Sequence, residues 1–348
     1  MLQIDGSSGG GSVIRLALAL SSITGKEFSV TNIRASRPNP GLAMQHLMAV
    51  NAFARISNAK VVGNTKGSRE LTFSPGTIQK NKLFIDVQTA GSLSLIIEAL
   101  LPWFVATKQP LDLELIGGTN VPWSPPVDTL QLVLFPLLYK YGTFTATIGR
   151  RGFYPKGKGQ VRFSYRPGEQ IPYRAIRLTK KQELHHVKGI LITTEKDLRF
   201  ATAIHSALSQ VHETSDLETL QVTAASEGTQ LILLAYYGDD TGYDPFRPMI
   251  LSADCLLEKN PEQTTQETIA RFKTLLSSAA CVDEQTADQL LPYLGLFGGE
   301  LITTELTNHL TIACELLSLF LEIDISAQQG KILVKEGFIE KEAKKQPL

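Results

Sequence analysis

Residues 2–33, LQIDGSSGGGSVIRLALALSSITGKEFSVTNI, contain the pattern that decides the fold. Residues 2–4 have the composition of a strand, and Gly9-Gly10-Gly11 predicts a turn. The apolar periodicity of residues 13–23 predicts a helix that ends at Gly25. Residues 28–33 alternate between apolar and polar side chains, as a half-buried strand does. The stretch therefore predicts a strand, a helix and a second strand.

The layout continues and then repeats along the chain. A Pro- and Gly-rich turn at 38–41 leads into a predicted helix at 42–56 and hairpin strands at 60–63 and 69–73. The second occurrence has its strand, helix, strand, helix and hairpin strands at residues 82–87, 93–104, 111–116, 125–139, 143–148 and 159–165. Since one βαβαββ unit cannot close a core alone, the units are expected to stack on each other.

A third unit is predicted to be split by an insertion. Its strands, helices and hairpin are predicted at residues 175–178, 284–294, 300–303, 309–320, 321–326 and 331–335. The predicted fold class is α/β (α+β), with three repeated βαβαββ units that form a large domain from residues 1–178 and 282–340. A smaller α/β domain at 179–281 is inserted in the third unit, and a charged tail at 341–348 is expected to fray.

Composition excludes several classes of protein. The 348 residues include 34 Lys+Arg and 34 Asp+Glu, which argues against a generally basic nucleic-acid coat but permits a local basic groove. No apolar run is long enough to predict a membrane span, and the N-terminus lacks the basic region of a signal peptide. The three cysteines are too scattered for a disulfide framework or a cysteine-based zinc site. A cytoplasmic location is therefore predicted.

Two turns are candidates for phosphate binding. The Gly-rich turn at 5–12 could cradle phosphate with free backbone N–H groups, or could be only a tight packed turn. It lacks the Gly-Lys-Ser/Thr ending of a Walker A loop. Arg34 and Arg37 precede a rigid turn, with Gln45 and His46 in the following helix. Guanidinium groups suit phosphate oxygens, which favours phosphate binding over two solvated arginines.

Two further loops and one histidine could take part in binding or chemistry. Residues 117–128 form a Gly- and Pro-rich loop that could flank a base or ribose, or could be purely structural. Residues 150–160 combine cations with Phe153 and Tyr154, as single-stranded nucleic acid requires, although a solvated hairpin tip is an equal alternative. His309 begins a predicted helix, where the helix dipole favours a neutral, nucleophilic imidazole. A structural histidine is the alternative.

Taken together, these segments resemble the RNA 3′-terminal phosphate cyclase family. The resemblance covers nearly the whole chain outside the insertion, in the stretches 5–6, 9–15, 34–50, 90–102, 117–128, 152–159, 287–290 and His309. It implies three βαβαββ units with a smaller inserted α/β domain. It also implies that a histidine attacks ATP, that the AMP passes to an RNA 3′-phosphate, and that the neighbouring 2′-OH closes a 2′,3′-cyclic phosphate and expels AMP.

The resemblance implies a role for particular residues. His309 matches the nucleophile. The residues implied for ATP binding are Glu98, Pro126, Gln285, Asp288 and Gln289. Those implied for binding RNA and phosphates are Arg15, Arg34, Arg37, Gln45 and His46. The implied partners are ATP, a divalent cation (Mg or Mn) and RNA with a 3′-phosphate end, while the residues that hold the metal stay unassigned.

The sequence also departs from the family's pattern. The Gly-rich turn lacks the family's Glu and has Ser12 in place of Gln, Glu98 replaces a Gln, and Gln285 replaces an aromatic residue. These changes leave open a non-catalytic, cyclase-like protein that acts in ribosomal RNA maturation. A third hypothesis is an enolpyruvyl transferase, whose domains have a similar repeated design, but that function has no use for His309.

Overall fold

The computed structural model describes residues 1–168, 175–195, 199–238, 248–257 and 260–345. The described chain is a mixed α/β protein whose strands form four four-stranded sheets, each containing both parallel and antiparallel pairs. No helix among the described residues is long and apolar enough to cross a membrane.

The first sheet contains the strands at the N-terminus. Its members are β1 (Leu2–Asp5), β2 (Phe28–Thr31), β3 (Lys60–Val62) and β4 (Leu71–Ser74), in the order β1-β2-β4-β3. Strands β1 and β2 are parallel, and helix α1 (Gly10–Thr24) connects them. Helix α2 (Met44–Ser57) connects β2 to the antiparallel hairpin of β3 and β4. These elements lie close to their predicted positions.

The second sheet has the same strand order. It contains β5 (Lys82–Asp86), β6 (Leu111–Gly117), β7 (Gly142–Arg150) and β8 (Gly159–Pro167), in the order β5-β6-β8-β7. Helix α3 (Ser94–Thr107) joins the parallel strands β5 and β6. The predicted helix at 125–139 is irregular: α4 (Val127–Thr129), a π-helical turn (Leu130–Leu134), α5 (Phe135–Leu137) and a 3₁₀ turn (Tyr139–Tyr141). Pro136 contributes to this irregularity because it has no N–H for an α-helical bond.

The remaining strands form two sheets, and the strands of one lie in sequence between the first and second strands of the other. One contains β9 (Ile176–Leu178), β14 (Gly299–Ile302), β15 (Ile325–Gln328) and β16 (Lys331–Val334), in the order β9-β14-β16-β15. The other contains β10 (Glu183–Thr193), β11 (Ser215–Gln221), β12 (Thr229–Gly238) and β13 (Met249–Leu256), in the order β11-β10-β12-β13. Strand β13 was not predicted, because Ser252 and Asp254 interrupt its apolar pattern.

The sheet of β10–β13 packs on both of its faces. Helices α6 (Arg199–Ser209) and α7 (Pro261–Ser277) cover one face, where Leu191 and Leu233 belong to a separate apolar cluster. Residues on the opposite face, including Ile190, Ile232 and Leu234, belong to the main core of the protein. Because successive side chains of a strand point to opposite faces, this sheet has apolar residues on both faces, and the second face packs on the rest of the molecule.

The main core brings together the helices that surround the candidate site. Helix α1 packs against α3 and α9 (Asn308–Leu321), while α8 (Glu284–Phe297) packs against α3 and α9. The charged C-terminal segment forms helix α10 (Phe338–Lys345), which includes residues 341–345 of the predicted tail, while 346–348 lie outside the described residues. Phe338 and Ile339 pack against the core, and Lys344 pairs with Glu336, which holds this helix in place.

Candidate active site

Residues of the four packed helices α1, α3, α8 and α9 line an open cleft. The polar residues that line it are Ser12, Arg15, Glu98, Asp288, Gln289 and His309. Pro102 on α3 and Pro292 on α8 also line the cleft. Because proline has no N–H, Pro102 cannot donate to the carbonyl of Glu98, and Pro292 cannot donate to that of Asp288. The cleft therefore combines apolar lining residues with several ionisable and polar ones.

His309 is held at the beginning of α9 by two contacts. Thr307 caps the helix by accepting a hydrogen bond from the N–H of Leu310 at 3.2 Å, which fixes the first turn. The Nδ1 atom of His309 lies 3.1 Å from Oγ of Ser12. The hydroxyl of Ser12 donates its one proton to the carbonyl of Gly9 at 2.7 Å. The tautomer of His309 that fits both contacts carries its proton on Nδ1 and leaves the lone pair on Nε2.

The Gly-rich turn before α1 places bare backbone beside His309. Gly10 has a φ of +62°, which disfavours a side chain. A Cβ on Gly11 would lie 2.0 Å from the ring of His46, so only glycine allows this close approach. Among the residues that the structure describes, no side chain caps the start of α1. The first-turn N–H groups of this helix are consequently suited to bind an anion.

The ionisable side chains of Arg15, Glu98 and Asp288 also line the cleft. The amide of Gln289 donates to Oε1 of Glu98 at 2.7 Å. Burial raises the pKa of Glu98 to about 7, although the nearby Arg15 charge and the bond from Gln289 lower it. Burial also raises the pKa of Asp288, against the nearby Arg15 charge, and it lowers the pKa of Arg15. Among the described residues, no carboxylate lies within 4.0 Å of the Arg15 guanidinium as an ion pair, so it can receive an anionic ligand.

The raised pKa of Glu98 makes stability depend on pH. Between about pH 4.5 and 7, Glu98 is protonated in the folded state and ionised in the unfolded chain. Raising the pH through this window therefore removes up to about 3 kcal/mol of folding free energy. Urea unfolding at a series of pH values is expected to show this loss, and Glu98→Gln should remove the Glu98 contribution while leaving that of Asp254, whose pKa burial raises to about 6. Glu114→Gln, at an exposed position of β6, is the control; an unchanged pH profile in Glu98→Gln would contradict the assignment.

The residues predicted to bind RNA and phosphates, other than Arg15, lie outside the cleft walls. Arg34 donates to the carbonyl of Gly41 at 2.9 Å and supports the turn, whereas the exposed Arg37 lies beside Gly10. Gln45 accepts a bond from the N–H of Ser92 at 3.3 Å. His46 is buried and lacks a partner for Nδ1 among the described residues, and its burial, with the Arg15 and Arg34 charges, lowers its pKa to about 3. His46 is thus neutral.

Comparison with known proteins identifies the family. The family model described as RNA 3′-terminal phosphate cyclase matches residues 7–327. The chain belongs to the RNA 3′-terminal phosphate cyclase family. The protein named RNA 3′-terminal phosphate cyclase from Pyrococcus abyssi is 36% identical over 342 residues, covering 95% of this chain and 97% of its own. The Saccharolobus solfataricus protein of that name is 37% identical over 339 residues, covering 93% and 96%.

One solved structure shows a weak likeness to this member of the cyclase family. The enolpyruvyl transferase NikO from Streptomyces tendae gives a TM-score of 0.41 at 10% identity, over 98% of this chain and 49% of that one. A likeness of this size supports no conclusion about function. Membership of the cyclase family, shown by the family model and the relatives, sets aside the enolpyruvyl transferase hypothesis.

Two of the predicted ATP-binding residues do not line the cleft. Pro126 is buried before α4, and Gln285 is exposed in the first turn of α8. Their contacts with ATP stay predictions. Ser12, in contrast, was noted only as a departure from the cyclase pattern, and the structure places it against His309. Its position directly after the glycine run was the one signal in the sequence that could have identified it.

The described residues contain no cluster of three His, Cys, Asp or Glu side chains that could hold a metal ion. The cleft offers two carboxylates, Glu98 and Asp288, and Glu98 is bound to Gln289 and close to the Arg15 charge. These residues do not form a metal site of their own. The divalent cation expected of the cyclase family therefore has no assigned ligands in this chain.

Proposed function

We propose that this chain is an ATP-dependent enzyme that converts an RNA 3′-phosphate end into a 2′,3′-cyclic phosphate. Family membership carries the reaction class. The observation that carries the mechanism is the orientation of His309, whose Nδ1 is engaged by Ser12 and whose Nε2 lone pair is free at the cleft. Incubation with ATP, Mg²⁺ or Mn²⁺ and an oligonucleotide with a 3′-phosphate tests the function, and an end that becomes resistant to phosphatase supports it.

The first step transfers AMP to the enzyme. The lone pair on Nε2 of His309 forms a bond to the α-phosphorus of ATP, and the bond from that phosphorus to the bridging oxygen breaks, so that pyrophosphate leaves with the electron pair. The proton on Nδ1 stays on His309, where it is hydrogen-bonded to Oγ of Ser12. Arg15 and the free N–H groups of α1 stabilise the negative charge that develops on the phosphate oxygens.

The next two steps consume the RNA end. An oxygen of the RNA 3′-phosphate forms a bond to the adenylyl phosphorus, and the phosphorus–nitrogen bond breaks, which returns the electron pair to Nε2 of His309. The adjacent 2′-oxygen then forms a bond to the 3′-phosphorus, AMP leaves, and the 2′-hydroxyl proton passes to solvent. The three steps together convert ATP and an RNA 3′-phosphate into AMP, pyrophosphate and the cyclic phosphate.

The remaining residues would hold the nucleotide and the RNA end. Asp288 and Gln289 lie beside His309 in the cleft, with Glu98 behind them, and we assign them to ATP. Pro126 and Gln285 are proposed to flank the adenine on the strength of the resemblance alone. Arg37, Arg34, Gln45 and His46 are proposed to form the side that receives the RNA 3′-phosphate, next to the Gly-rich turn.

The arrangement of the sheets supports a division of the chain into two domains. The sheets of β1–β4, of β5–β8 and of β9 with β14–β16 share the order first, second, fourth, third, which fits three repeated βαβαββ units. We assign the large domain to residues 1–178 and 282–340 and the inserted domain to 179–281. All residues that line the cleft belong to the large domain. A cytoplasmic location stays a prediction.

Arg37→Ala is expected to slow cyclisation roughly 10-fold or more while AMP attachment to the enzyme stays close to wild type, because charge-assisted bonds to phosphate contribute about 1.5–3 kcal/mol. Arg37 is exposed beside Gly10 and outside the cleft that holds His309, so its loss should affect the RNA end alone. Both steps can be measured on one preparation with labelled ATP and labelled RNA. Arg55→Ala, at the end of α2, is the control, and equal loss of both steps would assign Arg37 to ATP or to folding.

The non-catalytic alternative predicts a different result. A cyclase-like protein that only binds RNA would retain the fold and the cleft but would accept no AMP from ATP with any divalent cation. The missing Glu in the Gly-rich turn favours this alternative, and the oriented His309 argues against it. Assays with Mg²⁺ and Mn²⁺ in parallel separate the two.

A further inference from the structure

Two loops present exposed aromatic side chains together on one part of the surface. We name residues 118–126 the tryptophan loop and residues 150–158 the basic loop. Trp123 is 97% exposed and Tyr154 is 62% exposed. Exposed tryptophan is unusual, because a large apolar ring is normally at least partly buried, and such exposure marks sites of interaction.

Both loops are rigidly held, so the exposure of these rings is a property of the fold. The tryptophan loop donates from the N–H groups of Thr119 and Asn120 to the carbonyl of Gly152, at 2.9 and 3.2 Å. Arg151 pairs with Asp128, with its Nη2 2.8 Å from Oδ1. Below the basic loop, Phe153 is buried and anchors it. The two loops therefore form one surface, and Trp123 is presented from a backbone with a φ of +66°.

The cations of this surface are available to a ligand. Arg150, Lys156 and Lys158 are all exposed, and none of them forms an ion pair with a described residue. Arg151 is the exception, since Asp128 neutralises it. Glu227, exposed beside the basic loop, is the one acidic side chain in the adjoining turn 224–228. The surface thus combines flat rings with net positive charge.

The surface adjoins the cleft through the beginning of α3. The N–H of Leu93 donates to the carbonyl of Gly118 at 2.9 Å, and the hydroxyl of Ser94 donates to the carbonyl of Pro125 at 2.6 Å. Glu98, which lines the cleft, lies one helical turn further along α3, or about 6 Å at 1.5 Å per residue. A strand whose end enters the cleft would pass over this surface.

We propose that the tryptophan and basic loops form a binding surface for the single-stranded RNA that precedes the 3′ end. Trp123 and Tyr154 stack on bases, and Lys156, Lys158 and Arg150 contact phosphates. Ring stacking and unpaired cations together are the features that single strands require, whereas a duplex hides the faces of its bases. The inference rests on the proposed function only in assuming that the RNA end lies in the cleft.

Tryptophan fluorescence measures the binding directly. The chain has two tryptophans, and Trp103 is buried, so Trp123 is the one that solution quenchers reach. The protein is titrated with an oligouridylate dodecamer that ends in a 3′-hydroxyl, without ATP, so that no chemistry is involved. The expected result is quenching of Trp123 on binding and its protection from iodide. No change in fluorescence, or equal binding of a blunt RNA duplex, would overturn the proposal.

Variants separate the contributions of rings and cations. Trp123→Ala and Tyr154→Ala are each expected to weaken binding roughly 5- to 100-fold, as for other stacked bases, with binding of the variants followed by anisotropy of labelled RNA. Phe84→Ala removes another exposed ring, from β5, and should leave binding unchanged. For Lys158, whose φ is +59°, asparagine is the suitable neutral replacement. Lys156→Gln/Lys158→Asn should reduce the salt-dependence slope by about 1.4.

The test of this RNA-binding surface does not depend on whether the chain is a cyclase. If the surface binds RNA and no cyclic phosphate forms, the proposed function fails and the surface stands. If cyclisation proceeds but Trp123→Ala, Tyr154→Ala and the lysine double variant bind the 3′-hydroxyl dodecamer as tightly as wild type does, the surface is refuted and the function stands. Where both hold, Trp123→Ala should raise KM for a 3′-phosphorylated dodecamer and leave KM for a dinucleotide unchanged.

Discussion

Replacing His309 with alanine is expected to abolish both AMP attachment and cyclisation, each by at least roughly 10⁴-fold, as for the loss of other covalent nucleophiles. The variant lacks the Nε2 lone pair that attacks the α-phosphorus, and the cleft has no other histidine in its walls. The fold should survive, because His309 is exposed and Thr307 still caps α9. Retention of α-labelled AMP after denaturation and the yield of cyclic ends measure the two steps.

Two controls make the result specific to this nitrogen. His205→Ala removes an exposed histidine from α6 and should leave both steps unchanged. RNA supplied already activated as the 3′-adenylate should bypass much of the His309→Ala defect, because the remaining step needs only the 2′-oxygen and the positioned end. His309→Asn, which keeps a polar side chain, should show the same loss of both steps and the same bypass by the 3′-adenylate. A folded alanine variant that accepts AMP at wild-type yield would refute His309 as the nucleophile.

Arg15→Gln is expected to lower the rate of AMP attachment roughly 10²- to 10³-fold, the effect of removing one group that stabilises developing charge. Arg15 lines the cleft with His309, and no described carboxylate neutralises it by direct pairing. Its charge also lowers the pKa of Glu98 and of Asp288. Single-turnover adenylation with saturating ATP measures the change in rate.

The loss of Arg15 could also act through stability, and a double variant separates the two effects. In Arg15→Gln/Glu98→Gln the buried cation and the nearby carboxylate are both neutral, so neither is left as an isolated buried charge. This variant should unfold at a urea concentration close to that of wild type and yet remain slow in adenylation. Recovery of the adenylation rate along with stability would show that Arg15 serves folding.

The sequence predicts local elements well because apolar periodicity determines them. Helices α1 and α9 lie within a few residues of their predicted positions at 13–23 and 309–320, since their apolar stripes face the core. Helix α10 and the π-helical turn at Leu130–Leu134 were not predicted. Helix α10 depends on packing of Phe338 and Ile339 against distant residues. The π-helical turn depends on backbone adjustments that the periodicity of apolar residues does not reveal.

The residues of the candidate site can be predicted from the sequence, but their geometry cannot. The family resemblance implies His309, Asp288, Gln289, Glu98 and Arg15, and the helices bring these side chains into one cleft, while their roles stay predictions. The contact of Ser12 with His309 joins residues 297 apart, and that of Gln289 with Glu98 joins residues 191 apart. Such contacts depend on helix packing, as does the burial that raises the pKa of Glu98.

The most direct measurement is the location of the AMP on the protein. Wild-type chain is incubated with ATP and Mg²⁺ or Mn²⁺ and denatured, digested at mildly alkaline pH where a phosphoramidate survives, and its peptides are examined by mass spectrometry. The account predicts one AMP on the peptide that contains His309, lost on brief treatment with acid. AMP on any other residue, or none with either metal while the protein is folded, would contradict it.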